Sequence, residues 1–351
     1  MAATPRTLTR RELNRALLAR QLLLQRASLT LPRALERVGG IQAQYAPSMY
    51  VGLWSRMEGF ARENLTRSLE RRSVVQGTLL RATIHLVSAR DYWPFALAVE
   101  APRREWWTRV QRDAPAPREM AAAARRLRAA LEEGALRRVE VEELLGRDRA
   151  RGVGMWIHLV RVPPSGTWER RRADLYGDAE RWLGPPAVTQ DEALDQLARR
   201  YLGAFGPASR ADLASWAGLP PATVAPVLDG LPLRRFRSEA GEELVDLPRA
   251  PLPDPDSPAP VRFLPTWDAT LLTHVRRTGI LPDEYRPRIF NTKMPHSVDL
   301  PRGRKRGRGL AVRGRPHPAG AVPRSRRGDA ARAGRGGRAF GRLSRVSGSV
   351  R

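Results

Sequence analysis

Residues 188–248 carry the pattern that most narrows what this chain can fold into. A helical stretch with apolar periodicity over 190–203 is followed by Ser209, a cap for a second helix beginning at Arg210. Pro221 opens a third helix over 221–228. Two short strand-like runs, 233–237 and 243–247, then flank Ser238-Glu239-Ala240-Gly241, a turn by composition. Three helices and a hairpin in this order make a helix-turn-helix variant with a wing, a module used mainly on DNA. Such modules also serve as protein-interaction spacers, so one copy leaves both uses open.

The same order can be read twice more upstream. Thr9-Arg10-Arg11-Glu12 is a capping box for a helix with Leu13, Leu17 and Leu18 on one side. Pro32 and Gly39 bracket a second helix, and a third covers 62–71. Strands are expected over 74–80 and 83–87, and then a helix capped by Ser88. From Arg118 an alanine-rich helix, a short helix at 139–145 and strands at 156–162 and 167–172 repeat the theme, with Pro163-Pro164-Ser165-Gly166 as the turn. The fold class is therefore mainly α with β-hairpin wings, an α+β chain of tandem winged-helix domains. The expected divisions are 8–110, 115–185 and 188–248, then a proline-rich linker and the start of a truncated C-terminal β region at 260–298.

Beyond 299 the composition changes. Residues 300–351 hold 16 Lys and Arg against one acid, Asp329, and 41 of these 52 residues are Arg, Gly, Ala, Pro or Ser. One reading is a basic tail that adds affinity for polyanions; the preferred one is GC-rich coding sequence read out of frame. Neither offers an apolar face, so the segment is expected to be disordered. Removing it from the totals of 62 basic and 36 acidic residues leaves 46 and 35, still basic enough to suit a polyanion partner. Cysteine is absent, which rules out disulfides and thiolate metal sites and fits a reducing cytoplasm. The expected setting is cytoplasmic, with no membrane segment.

Gly39-Gly40-Ile41-Gln42-Ala43-Gln44-Tyr45-Ala46-Pro47 follows the second helix. Gln42 and Gln44 alternate, so an extended backbone places both amides on one side. Two amides can hold a water between them, since each offers an acceptor oxygen and two N–H donors. A polar loop facing solvent is the plain alternative. The stretch 39–48, continued by Leu53-Trp54-Ser55-Arg56, and the later Arg81-Ala82-Thr83-Ile84-His85-Leu86-Val87 together resemble the AlkZ family of winged-helix DNA glycosylases. The resemblance runs over roughly 8–298. It implies that Gln42 and Gln44 are the catalytic pair of a Gln-x-Gln motif and that the partner is damaged double-stranded DNA.

That chemistry is self-consistent. A purine alkylated at N7 or N3 is cationic and leaves as a neutral base without a general acid. The protein then needs a placed water and polar surroundings for the oxocarbenium-like sugar. A normal base is a poor leaving group and resists so mild a site. Candidate DNA contacts are Thr83, His85, Arg161, Arg170, Arg171 and Arg172. His85 can equally be a satisfied histidine within a strand. Trp106 and Trp107 are expected in a core rather than as a base-stacking platform. The five histidines show no ligand spacing, so no metal or cofactor is expected. The reading is a monomeric, monofunctional glycosylase for alkylated or crosslinked purines. Its rivals are a non-catalytic DNA-binding protein or regulator and an interaction scaffold.

Overall fold

The computed structural model describes residues 5–111, 113–272 and 310–312. Strand β1 (Arg6–Leu8) leads into α1 (Arg10–Arg20), whose N-terminus is closed by the expected reciprocal bonds between Thr9 and Glu12. Helix α2 (Leu31–Val38) begins with proline in its first turn and stops at Gly39. Gly39 and Gly40 both take positive φ, 75° and 79°, a turn that side chains resist. The chain emerges extended as β2 (Ile41–Gln42) and bends into α3 (Ala46–Arg56), a helix not foreseen from the sequence.

Helix α4 (Arg62–Glu70) precedes the antiparallel pair β3 (Val74–Thr78) and β4 (Ile84–Ser88), and Ser88 caps α5 (Ala89–Ala98) through Asp91 N. Helix α6 (Glu100–Val110) continues from it. There follow α7 (Pro117–Glu132), β5 (Leu136–Arg137), α8 (Arg138–Leu145), α9 (Arg147–Gly152), β6 (Leu159–Arg161), β7 (Leu175–Asp178) and α10 (Ala179–Leu183). The strand expected over 167–172 is instead a loop tied to itself, and the pairing strand begins at Leu175. Three helices α11 (Gln190–Phe205), α12 (Arg210–Ala217) and α13 (Pro221–Gly230) and the hairpin β8 (Arg234–Ser238) and β9 (Glu243–Asp246) match the pattern read at 188–248. Ser209 caps α12 as expected. Strand β10 (Arg262–Leu264) and helix α14 (Ala269–Leu272) follow, and β11 (Leu310–Val312) pairs antiparallel with β10. That pairing departs from the expectation of a structureless 299–351; the rest of that segment lies outside the described residues, as does 273–298.

The expected divisions do not separate the strands. β2, β4, β3, β6, β7 and β5 form one six-stranded sheet, because Gln76 and Gly77 of β3 pair with Arg161 and Val160 of β6. β1 adds in parallel to β8, so the first strand of the chain completes the hairpin of the third module. Side chains alternate across the large sheet. Val75, Val87 and Val160 point into a core that also holds Leu17, Phe95, Tyr201, Phe205 and Trp216. Val74, Leu86 and Ile41 point into a second core with α2, α3 and α4. Gly77 lies where a Cβ would meet the Tyr92 ring at 2.6 Å, so the absence of a side chain lets that ring lie over the strand. A third core under α7 and α8 takes Trp107, which is 6 % exposed, whereas Trp106 is 42 % exposed and belongs to no core.

Two buried ion pairs tie distant segments together. Arg20 of α1 donates to both carboxylate oxygens of Asp246 in β9, at 2.7 and 2.9 Å, and to the carbonyls of Leu202 and Pro251. Arg56 at the end of α3 binds both oxygens of Asp268 at 2.9 Å and also donates to Thr270 and Gln21. With both carboxylate oxygens bonded, such pairs fix geometry rather than add much net stability.

Candidate active site

The short strand β2 lies along the outer edge of β4, placing Ile41 opposite Leu86 and Gln42 opposite His85. Ala43 N donates to Ile84 O at 2.7 Å, which makes Gln42 and His85 a pair of the non-hydrogen-bonded class, where side chains approach most closely. The chain then turns away into α3, and the Ile84 N–H would lose its ladder acceptor. Gln44 supplies one: its Oε1 accepts Ile84 N at 3.1 Å. The two glutamines therefore differ. Gln44 is held by its oxygen, leaving both amide hydrogens to donate elsewhere. Gln42 is 9 % exposed, and its amide has no hydrogen-bond partner among the described residues.

His85 is 3 % exposed, with Nδ1 3.0 Å from Thr83 O. A carbonyl can only accept, so Nδ1 carries the proton and Nε2 keeps a free lone pair, an assignment made from the hydrogen-bond geometry. Burial, and secondarily the nearby Arg81 charge, push its pKa down to about 3, against the pull of the Thr83 carbonyl. The imidazole is neutral at physiological pH. A buried neutral ring brings no charge to a phosphate, and the strand register sets His85 beside Gln42. Thr83 donates from Oγ1 to Leu80 O at 3.1 Å and is half-buried.

The arginines expected on DNA fall into two kinds. Arg161 is buried: it donates to Ala173 O at 3.1 Å and Thr78 Oγ1 at 2.9 Å, and its guanidinium lies over Tyr176. It ties β6 to its neighbours through these bonds. Arg170, Arg171 and Arg172 are exposed on the loop after β6. With Arg137, Ser165 and Asp174 they line an open cleft of about 610 Å³. Ser165 organises this loop, donating to Arg172 O and accepting from Asp174 N, both at 2.8 Å.

The loop is docked next to the glutamines. Gln76 of β3 donates to Gly166 O at 2.9 Å, and Trp168 N donates to Tyr50 OH of α3 at 3.2 Å. The Trp168 ring meets Tyr50 edge-on at 5.6 Å, with the Arg62 and Arg171 guanidiniums 5.3 and 5.6 Å from it. Arg171 also reaches Tyr45 OH at 3.4 Å, and Tyr45 adjoins Gln44.

A model of the family described as "DNA glycosylase AlkZ-like" matches residues 35–308, a span that holds every candidate residue above. The chain belongs to the AlkZ-like DNA glycosylase family. Among solved structures, the DNA glycosylase AlkZ of Streptomyces sahachiroi is similar in fold, with a TM-score of 0.68, 19% identity and coverage of 87% of this chain and 85% of that one. No curated protein matches.

In this AlkZ-like chain the polar groups that meet at the junction of β2 and β4 are uncharged. Gln44 accepts from Ile84 N and keeps its amide hydrogens available, Gln42 is uncommitted, and His85 is neutral. Among the described residues no group of three metal-ligating side chains comes together, and no helix is long and apolar enough to cross a membrane. Sequence reading missed Tyr45, Tyr50, Trp168 and Gln76, which couple the loop to the glutamine motif. The one available signal was the aromatic residue adjoining Gln44.

Proposed function

We propose that this protein is a monofunctional DNA glycosylase that hydrolyses the N-glycosidic bond of alkylated or crosslinked purines in double-stranded DNA. The observation that carries the reading is the bond from Ile84 N to Gln44 Oε1, which fixes the Gln44 amide with both hydrogens free beside the uncommitted Gln42. A water whose oxygen accepts from Gln44 Nε2 and whose hydrogen points to Gln42 Oε1 is held with a lone pair toward the sugar. The C1′–N9 bond breaks with its electron pair going to the cationic purine, which leaves neutral. The water oxygen bonds to C1′ and its proton goes to solvent. His85 assists by remaining uncharged, since an imidazolium there would repel the developing oxocarbenium ion. The loop carrying Arg170, Arg171 and Arg172 holds the backbone near the lesion. No cofactor enters this scheme, and the protein acts as a monomer on chromosomal DNA in the cytoplasm.

The test is incubation with duplex DNA carrying N7-methylguanine, scored for alkali-labile abasic sites. Excision by the parent and its loss in Gln42→Ala support the reading. Tight duplex binding without excision would return the protein to the non-catalytic DNA-binding class.

A further inference from the structure

A second cleft, of about 470 Å³, opens beside the turn that precedes β4, where Arg81 and Ala82 line it. One wall is a stripe of α6 carrying Arg103, Glu105, Trp106 and Arg109; Arg81 lines it too, and the turn at 217–220 between α12 and α13 faces them. Three guanidiniums meet one carboxylate, Glu105. Arg103 is 5 % exposed and donates to Thr78 O, yet its Nε has no partner. Arg81 donates to Trp216 O. Among the described residues none of the three arginines pairs with a carboxylate. Arg103 is buried, Arg81 is half-buried and Arg109 is exposed, so the cleft carries a net positive charge that an anion can reach at its mouth.

The cleft also has an aromatic face. Trp106 is the exposed member of the Trp106–Trp107 pair, so its indole presents an apolar surface beside the arginines. Facing it, α13 begins with no acidic residue in its first turn and no side-chain cap, so nothing there opposes an anion. The backbone between β3 and β4 is strained to reach this arrangement: Arg81 and Ala82 take φ of 50° and 55°, costly for residues with a Cβ. That strain directs Arg81 toward the cleft two residues before Thr83 and close enough for its charge to act on His85.

We infer that this cleft is a nucleotide-binding subsite: the Arg81 and Arg109 guanidiniums take a phosphate, and a nucleobase stacks on Trp106. Its neighbourhood to His85 makes its occupant a nucleotide of the bound DNA strand flanking the lesion. This deepens the glycosylase reading and rests on it for the source of the nucleotide, but the binding chemistry is independent of excision. Stacking on an indole is tolerant of base identity, so the subsite discriminates nucleotide from bare phosphate rather than one base from another.

The experiment is a titration of the full chain, with the tryptophan indole N–H signals followed by NMR and Trp106 assigned through Trp106→Phe. The probes are deoxyguanosine monophosphate, inorganic phosphate and a duplex with one unpaired nucleotide beside an abasic site. A shift of the Trp106 signal with the duplex places a DNA nucleotide in the cleft. A shift with the free monophosphate alone supports the subsite and makes a free nucleotide its occupant. In either case Trp106→Ala and Arg109→Gln should each weaken binding roughly tenfold while the melting temperature stays at the parent value. A shift with phosphate as large as with the nucleotide, or no shift with any probe, overturns the proposal. Because the readout is binding, Gln42→Ala should leave it unchanged, so loss of excision and loss of this subsite are told apart.

Discussion

Gln42 and His85 face each other across the junction of β2 and β4, both nearly buried, one an uncommitted amide and the other a neutral imidazole. Each is positioned by backbone rather than by the other. Gln42 follows from the two left-handed glycines that end α2, and His85 is turned by its own bond to Thr83 O. The pair offers hydrogen-bond capacity without charge.

The two glutamines should fail differently. Gln42→Ala removes an amide with no internal partner, so excision should fall by about 2–4 kcal/mol of transition-state stabilisation with the melting temperature unchanged. Gln44→Ala should lose the same activity and also about 1 kcal/mol of stability, because Ile84 N is left without its acceptor. Gln44→Glu keeps that acceptor but removes the donors, so it should melt like the parent and excise like Gln44→Ala. Single-turnover excision and thermal melts on the three variants decide this; equal melts for both alanine variants would refute the clamp.

His85 sets a pH signature. Its folded pKa, about 3, lies below the ordinary histidine value, so between the two the unfolded chain binds a proton that the native protein does not. Stability contributed by this site is full above the ordinary value and declines as pH falls toward the folded one. Urea midpoints from pH 7 to 4 should fall less in His85→Gln than in the parent. The imidazole nitrogen signals of the parent should stay those of a neutral ring at pH 5; an imidazolium spectrum there would contradict the assignment.

Asp268 holds α3 from its far end. Burial alone would raise its pKa, but the Arg56 charge and hydrogen bonds from Arg56 and Thr270 hold it below the ordinary carboxylate range. Its contribution is thus present above the ordinary range and lost as pH falls through the folded value. Asp268→Asn leaves a buried guanidinium without its counterion and should cost about 3–5 kcal/mol in a denaturant melt. A change within 1 kcal/mol, as for an exposed pair, would show that the pair is wet.

The arginines should separate by salt dependence. Arg171→Ala and Arg172→Ala should each lower the log–log salt slope of duplex binding by about one and leave stability intact. Arg161→Ala should leave the slope alone and cost more than about 2 kcal/mol of stability, since Ala173 O and Thr78 Oγ1 lose their buried donor. Fluorescence anisotropy across a salt series, with melts in parallel, distinguishes the two classes.

What local sequence determines is local here. Thr9, Ser88 and Ser209 close the helix starts at which their spacing places them, and Gly39 ends α2, because caps and left-handed turns act within a few residues. The glutamine motif was equally legible as a pattern. Its division of labour was not, because the Gln44 bond to Ile84 spans 40 residues and exists only once β4 lies alongside. Pairing of β3 with β6 merges two expected modules into one sheet, and no periodicity within either strand specifies that partner. Arg161 and Arg171 look alike in the sequence, yet one is a buried strut and the other faces solvent. Trp106 and Trp107 differ by a single helical step of about 100°, and only the packing of α6 against its neighbours decides which indole is covered and which is left exposed.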